Sequence, residues 1–152
     1  MIDRKTESDI KSVNGFLEFW MKFHSIFTET ISKGIISVEE ESKFLETRDM
    51  IKAKYEDLKK SLEFKYMPHG RMTDPVDDVL KISGIRFMSE KSLKRLNEDW
   101  RDSYVFLNNI LERLKNKKRR LEEFNTVGVL MKRLLDASGA KLSALFKKGR
   151  SS

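Results

Sequence analysis

The chain has 152 residues, 31 Lys+Arg against 24 Asp+Glu, a formal net charge of +7, two prolines and no cysteine. So much charge with so little proline excludes a collagen-like or proline-rich chain, and 39% hydrophobic residues argue against a wholly disordered one. The lack of cysteine removes disulfides, thiol catalysis, thiolate zinc sites and iron–sulfur clusters together.

About 150 residues suffice for one domain with a real core. The first periodic segment covers about residues 8–33, where Ile10, Val13, Leu17, Trp20, His24, Phe27 and Ile31 alternate spacings of three and four. That spacing predicts a helix with a coiled-coil-like seam. Phe16, Phe19, Phe23 and Ile26 lie beside the seam, so only a narrow strip through Lys11, Glu18, Lys22, Ser25 and Glu29 is polar. A helix apolar nearly all round is either central to a bundle or turned toward another chain, which makes Phe19 and Ile26 candidate oligomer contacts. Gly15 is expected to be tolerated for close packing.

Gly34 fits a helix C-terminal cap, and Ser37 followed by Glu40 fits a capping box, so a short turn and an antiparallel second helix over 38–66 are predicted. Its stripe is Phe44, Ile51, Tyr55, Leu58 and Leu62, interrupted by Arg48, whose stem is expected to pack while its guanidinium reaches solvent. Over 67–88 the pattern breaks at Pro68, Gly70, Pro75 and Gly84. Within this connector Asp74 and Pro75 read as N-cap and first residue of a short helix ending at Gly84. The connector is expected to cross one end of the bundle and plug it with Val79, Ile82, Ile85 and Phe87.

Ser89 or Ser92 starts the longest helix, with the stripe Leu93, Leu96, Trp100, Leu107, Ile110, Leu114, Leu121 and Phe124. Lys117 falls on that seam, and the run Lys115 to Arg120 thins the apolar face, so the helix should project beyond its partners there. Asn125 and Thr126 suggest a break before a final amphipathic helix bearing Val127, Leu130, Met131, Leu134, Leu142 and Leu145 on one side, with a frayed end over 149–152. The expected organisation is an all-α antiparallel bundle of three long helices over 1–125, with the 67–88 connector, followed by a basic amphipathic C-terminal helix and tail over 126–152.

Charge is unevenly divided. Residues 1–88 carry 15 Lys+Arg and 16 Asp+Glu, whereas 89–152 carry 16 and 8. The candidate partner-binding residues are therefore Lys115, Lys117, Lys118, Arg119, Arg120, Lys132, Arg133, Lys141, Lys147 and Lys148. A localised basic surface attracts acidic proteins, nucleic acid or anionic lipid over about 8 Å at physiological salt without choosing among them.

No residue pattern points to chemistry. His24 reads as a partly buried seam histidine and His69 as a turn residue, with no Glu-x-x-His or His-x-x-x-His pair. Asp74, Asp77 and Asp78 are better explained by helix capping than by cation binding. Glycine-rich phosphate loops and nucleophile elbows are missing. The expectation is a non-catalytic scaffold or adaptor without cofactor or metal, whose partner is another protein or a second copy, with nucleic acid and an anionic membrane surface as alternatives. The charged N-terminus and the lack of 18 uncharged apolar residues in a row lead to the expectation of a cytoplasmic chain with no transmembrane span.

Overall fold

A computed structural model describes residues 4–68 and 73–150, with side chains of the last helix described as far as residue 137. The elements are α1 (Arg4–Ser32), α2 (Val38–Ser61), α3 (Pro75–Leu80) and α4 (Glu90–Arg150), with no strand among the described residues. This is an all-α bundle of three long helices with a short connector helix. α1 packs on α2 along one side and on α4 along the other, while α3 packs on α4 and touches α2. Its nearly all-round apolar character thus matches a central position between two neighbours.

Both long neighbours run antiparallel to α1. On the α2 side, Phe16 meets Tyr55 with ring centroids 5.4 Å apart, and Phe23 meets Phe44 at 5.0 Å. On the α4 side, Trp20 meets Trp100 at 4.7 Å, and Glu7 reaches Lys118 at 3.4 Å near the other end. Aromatic pairs of this kind contribute about 0.5–1.5 kcal/mol each beyond the area they bury. Trp20 also donates its indole N–H to Ser103 Oγ at 2.9 Å, and Ser103 in turn donates to the carbonyl of Trp100. A serine at a fully buried seam position is therefore satisfied in both its roles.

Local signals set the boundaries. Gly34 takes φ +77°, the left-handed cap that ends α1, with its N–H on the Ile31 carbonyl. Ser37 Oγ accepts from the Glu40 N–H at 3.1 Å and caps α2. Asp74 Oδ1 accepts from the N–H groups of Val76 and Asp77, with Pro75 opening α3. Ser89 Oγ accepts from the Ser92 N–H at 3.1 Å and caps α4.

Several expectations are corrected. α2 stops at Ser61 rather than near Tyr66, because Glu63 and Phe64 both take left-handed backbone and Phe64 N–H closes back on the Lys59 carbonyl. Arg48 does not simply reach solvent: its guanidinium donates to the Ile82 carbonyl and to Asp49, tying the connector to α2. Gly84 does not end α3, which stops at Leu80. A Cβ there would stand 3.3 Å from Glu41 Oε2, the oxygen that accepts from the Ile85 and Arg86 N–H groups. Those two donors hold the Glu41 carboxyl below its usual pKa. The connector does not cross one end of the bundle but runs back alongside α2, with Asp74 at Tyr55, Ile82 at Arg48 and Ile85 at Glu41. Val79, Ile82 and Ile85 are buried along it, but Phe87 is 89% exposed, its ring under the Arg86 guanidinium. Nothing stands within 4 Å of where a Cβ on Gly15 would lie, so close packing does not account for that glycine.

The expected break at Asn125 and Thr126 does not form. α4 is continuous over 61 residues, and the basic amphipathic C-terminal helix is its distal part. No proline interrupts this stretch, Thr126 Oγ1 donates back to the Glu122 carbonyl, and Gly128 costs only about 1 kcal/mol of helix propensity. At about 1.5 Å per residue α4 spans roughly 90 Å. Residues 151–152, part of the expected frayed end, lie outside the described residues.

Candidate interaction surface

One seam runs the length of α4. Leu93, Leu96, Trp100, Ser103, Leu107, Ile110, Leu114, Lys117, Leu121, Phe124, Gly128, Met131 and Leu135 follow one another at alternating steps of three and four. This is an unbroken heptad register. From Leu96 to Leu114 the seam is buried against the rest of the bundle, and at Lys117 and Leu121 it is half-buried. Beyond that it is open: Phe124 is 76% exposed, and Leu134 and Leu135 about two-thirds, with Val127, Leu130 and Met131 more than half exposed. Among the described residues α1 reaches about the level of Lys118, where Glu7 meets it at 3.4 Å, and α4 continues past that level. From residue 119 to 150 the helix adds about 48 Å.

The predicted basic residues divide around this seam. At 100° per residue, Lys115, Arg119 and Arg133 fall on the side opposite the open stripe, where all three are exposed. Lys132 is exposed on one flank of the stripe and Arg120 on the other, while Lys117 occupies the seam itself. Lys118 is engaged with Glu7 at 3.4 Å and Glu122 at 3.9 Å, and the Arg119 guanidinium donates to Asn116 Oδ1. Lys141, Lys147 and Lys148 continue the basic content in sequence, but their side chains lie outside the described residues. The distal half of α4 thus combines an open apolar stripe with a basic back. Sequence periodicity split by a supposed break at Asn125 misses Leu135 and the continuity of the register; carrying the steps of three and four through Gly128 would find both.

Phe19 and Ile26 sit elsewhere, each about 40% exposed on α1, and the Lys54 ammonium lies 4.2 Å from the centroid of the Phe19 ring. The structure does not bring them together with the basic residues.

A second feature is an open groove of about 570 Å³ lined by His24, Asn97, Trp100, Arg101, Tyr104 and Asn108. His24 stacks on Trp100 at 4.5 Å, and its Nδ1 lies 3.3 Å from the Tyr104 hydroxyl. Burial lowers the His24 pKa below its usual value. The folded state therefore binds this proton less readily than the unfolded state, and stability is complete above about pH 6.5 and lost as pH falls through the folded-state value. The melting temperature is expected to drop between pH 7.5 and pH 5.5, before most carboxylates titrate, and His24→Gln should flatten that slope. An unchanged slope in the variant would assign it to other groups. Asp99 acts in the opposite sense at lower pH: burial, then Asp78, Asp102 and Glu98 nearby, raise its pKa.

Among the described residues no group of three His, Asp or Glu gathers to hold a metal ion, and no helix is long and apolar enough to cross a membrane. His69 lies outside the described residues. Asp74, Asp77 and Asp78 belong to the first turn of α3, and Asp74 accepts the Tyr55 hydroxyl at 2.6 Å. Comparison with protein-family models, curated proteins and solved structures found no match.

Proposed function

We propose that the chain is a non-catalytic helical scaffold that docks onto a macromolecular partner through the basic distal part of α4. The observation that carries this reading is the coincidence of charge and projection. From Lys115 onward there are eleven Lys or Arg against three acidic residues, on the part of α4 that leaves the bundle. The bundle proper has nearly balanced charge. A projecting helix with a basic back offers an acidic partner a long contact without disturbing the core, and electrostatic attraction of that kind speeds encounter and fixes orientation.

The test replaces Lys117, Arg119, Arg120, Lys132 and Arg133 with Gln and leaves Lys118, which pairs with Glu7, in place. Each exposed ion pair contributes about 0.2–1 kcal/mol, so losing five should weaken binding about fivefold to a few thousandfold. The measurement is affinity purification from the native cell at two salt concentrations, with nuclease treatment in parallel. Undiminished recovery of every partner by the variant would overturn the proposal. Loss of recovery on nuclease treatment would direct it to nucleic acid, and co-sedimentation with anionic but not neutral vesicles would direct it to a lipid surface.

A further inference from the structure

One strip of α1 stays outside the bundle. At 100° per residue Lys11, Gly15, Glu18, Lys22, Ser25 and Glu29 fall within an arc of about 80°, edged on the α2 side by Phe19 and Ile26, each about 40% exposed. Among the described residues the four charged groups of this strip form no ion pair within 4 Å. Gly15 stands out within it. A glycine inside a helix is destabilising, and no atom lies within 4 Å of where its Cβ would be, so nothing in the chain's own packing calls for it. It opens a notch of about 360 Å³ between α1 and α2, lined by Gly15, Phe16, Phe19, Lys54 and Leu58 among others.

We infer that this strip is covered by the same strip of a second copy, with the two α1 helices antiparallel and the two-fold axis at the level of Trp20. The first argument is charge. Lys11 and Glu29 stand equally far on either side of Trp20, and so do Glu18 and Lys22. Two-fold pairing therefore sets each lysine opposite a glutamate of the other copy, giving four attractive pairs over about five turns. A parallel pair would instead set each of these residues against its own like.

The second argument is size. Gly15 and Ser25 are also centred on Trp20, so the two smallest side chains of the strip meet and let the helix axes approach to about 8 Å. A two-fold axis perpendicular to antiparallel helices keeps like flanks together, so Phe19 of each copy lies within one turn of the other near the axis. On the same flank, Ile26 of one copy comes to the level of Gly15 of the other, where the notch can take its side chain. The backbone of Gly15 thus makes room for a group from outside the chain. The third argument is steric. The buried residues of α1 lie on the opposite side of the helix from the strip, so α2 and α4 both stand behind it and neither obstructs a second α1.

A contact between one helix of each copy stands at the small end of specific interfaces, below about 1,200 Å², so pairs are expected to exchange with single chains at micromolar concentrations. Its charge pairs attract, so screening should weaken it. The axis also reverses chain direction, so the distal α4 helices of the two copies leave at opposite ends, one basic arm at each.

The test uses the full chain in sedimentation and light scattering from about 2 to 500 µM, at about 0.1 M and 0.5 M salt. The mass should rise with concentration from the chain mass of 17.9 kDa toward twice that value, and rise less at the higher salt. Lys22→Glu sets like charges together twice and should weaken pairing about tenfold to a hundredfold. Adding Glu18→Lys to it exchanges the two charges and should restore the pair, which a parallel arrangement would not do. Gly15→Leu should block pairing by filling the notch, yet at about 2 µM, where the chains are single, it should melt no lower than the unsubstituted protein, because leucine is the better helix former and its Cβ meets open space. A single-chain mass at about 500 µM would overturn the inference. So would a dimer indifferent to Lys22→Glu or to Gly15→Leu, a dimer strengthened by salt, or a charge exchange that fails to restore pairing. No substitution here lies in α4 and no partner is present, so a single chain that still captures its partner leaves the proposed function standing, and a dimer that captures none leaves the pairing standing.

Discussion

Trp20→Ala is expected to destabilise the bundle by about 3–5 kcal/mol, the range for emptying a buried aromatic site. Trp20 is fully buried near the centre of α1, on the side that meets α4. Its ring contacts Phe16 at 5.7 Å, Phe23 at 5.9 Å and Trp100 at 4.7 Å, and its N–H is the donor that satisfies Ser103. Truncation therefore opens a cavity at the α1–α4 contact and removes a buried hydrogen bond. A domain of this size has about 5–15 kcal/mol in total, so the variant should lose a large fraction of its stability. Urea unfolding followed by far-ultraviolet circular dichroism checks this. Trp20→Phe, which keeps most of the ring contacts, should cost about 1–3 kcal/mol, part of it from the lost donor to Ser103, which keeps its own bond to the Trp100 carbonyl. A Trp20→Ala shift below about 1 kcal/mol would mean that α4 is not held by this contact.

Asp74→Ala should cost about 2–4 kcal/mol, because one carboxylate serves two elements. Oδ1 caps α3 through the N–H groups of Val76 and Asp77, at 3.1 and 3.3 Å. Oδ2 accepts from the Tyr55 hydroxyl at 2.6 Å, and Tyr55 itself is fully buried. Burial and then this bond hold the phenol protonated, well above its ordinary pKa. Alanine therefore removes the cap and leaves the buried hydroxyl only the Met67 sulfur, at 3.6 Å, as acceptor. Tyr55→Phe should cost only about 1 kcal/mol, since Asp74 retains its cap and the phenol leaves nothing unsatisfied. A double-mutant cycle between the two positions measures their coupling. If Asp74→Ala and Tyr55→Phe proved equal and strictly additive, the shared carboxylate would not be the link between α2 and α3.

The parts of this fold that could be read from the sequence are those whose causes lie within one or two helical turns. Ser37 with Glu40, Asp74 with Pro75, and the left-handed Gly34 are local devices and behave as their residue types require. The crowded apolar face of α1 also carried its meaning openly, because a helix so apolar needs neighbours on two sides. Elsewhere the cause was distant. Gly84 lies close against a carboxylate from Glu41, far away in sequence, and Arg48 finds its acceptor at Ile82. The turn after Ser61 uses Glu63 and Phe64 in a backbone region that neither residue type favours, so composition could not mark it. Phe87 follows a connector without periodicity, and nothing in its spacing told the inner side from the outer. At the candidate surface the basic residues were visible as a count. Their division into a back, two flanks and a seam position became visible only when α4 proved continuous through Asn125 and Thr126.

The placement of α1 between its two neighbours has a consequence for how the chain assembles. α1 and α2 adjoin in sequence, so their hairpin closes a short loop and can form early. The other side of α1 must wait for a segment some eighty residues away, as the bond between Trp20 and Ser103 illustrates. Bringing that segment in costs more chain entropy before any contact compensates. The expected order is therefore the α1–α2 hairpin first, with α4 docking afterwards on the half of α1 that bears Trp20 and His24. The position of a single helix thus sets the expected order of assembly, and the ring contacts of Trp100 with Trp20, Phe23 and Phe27 are the ones expected to close last.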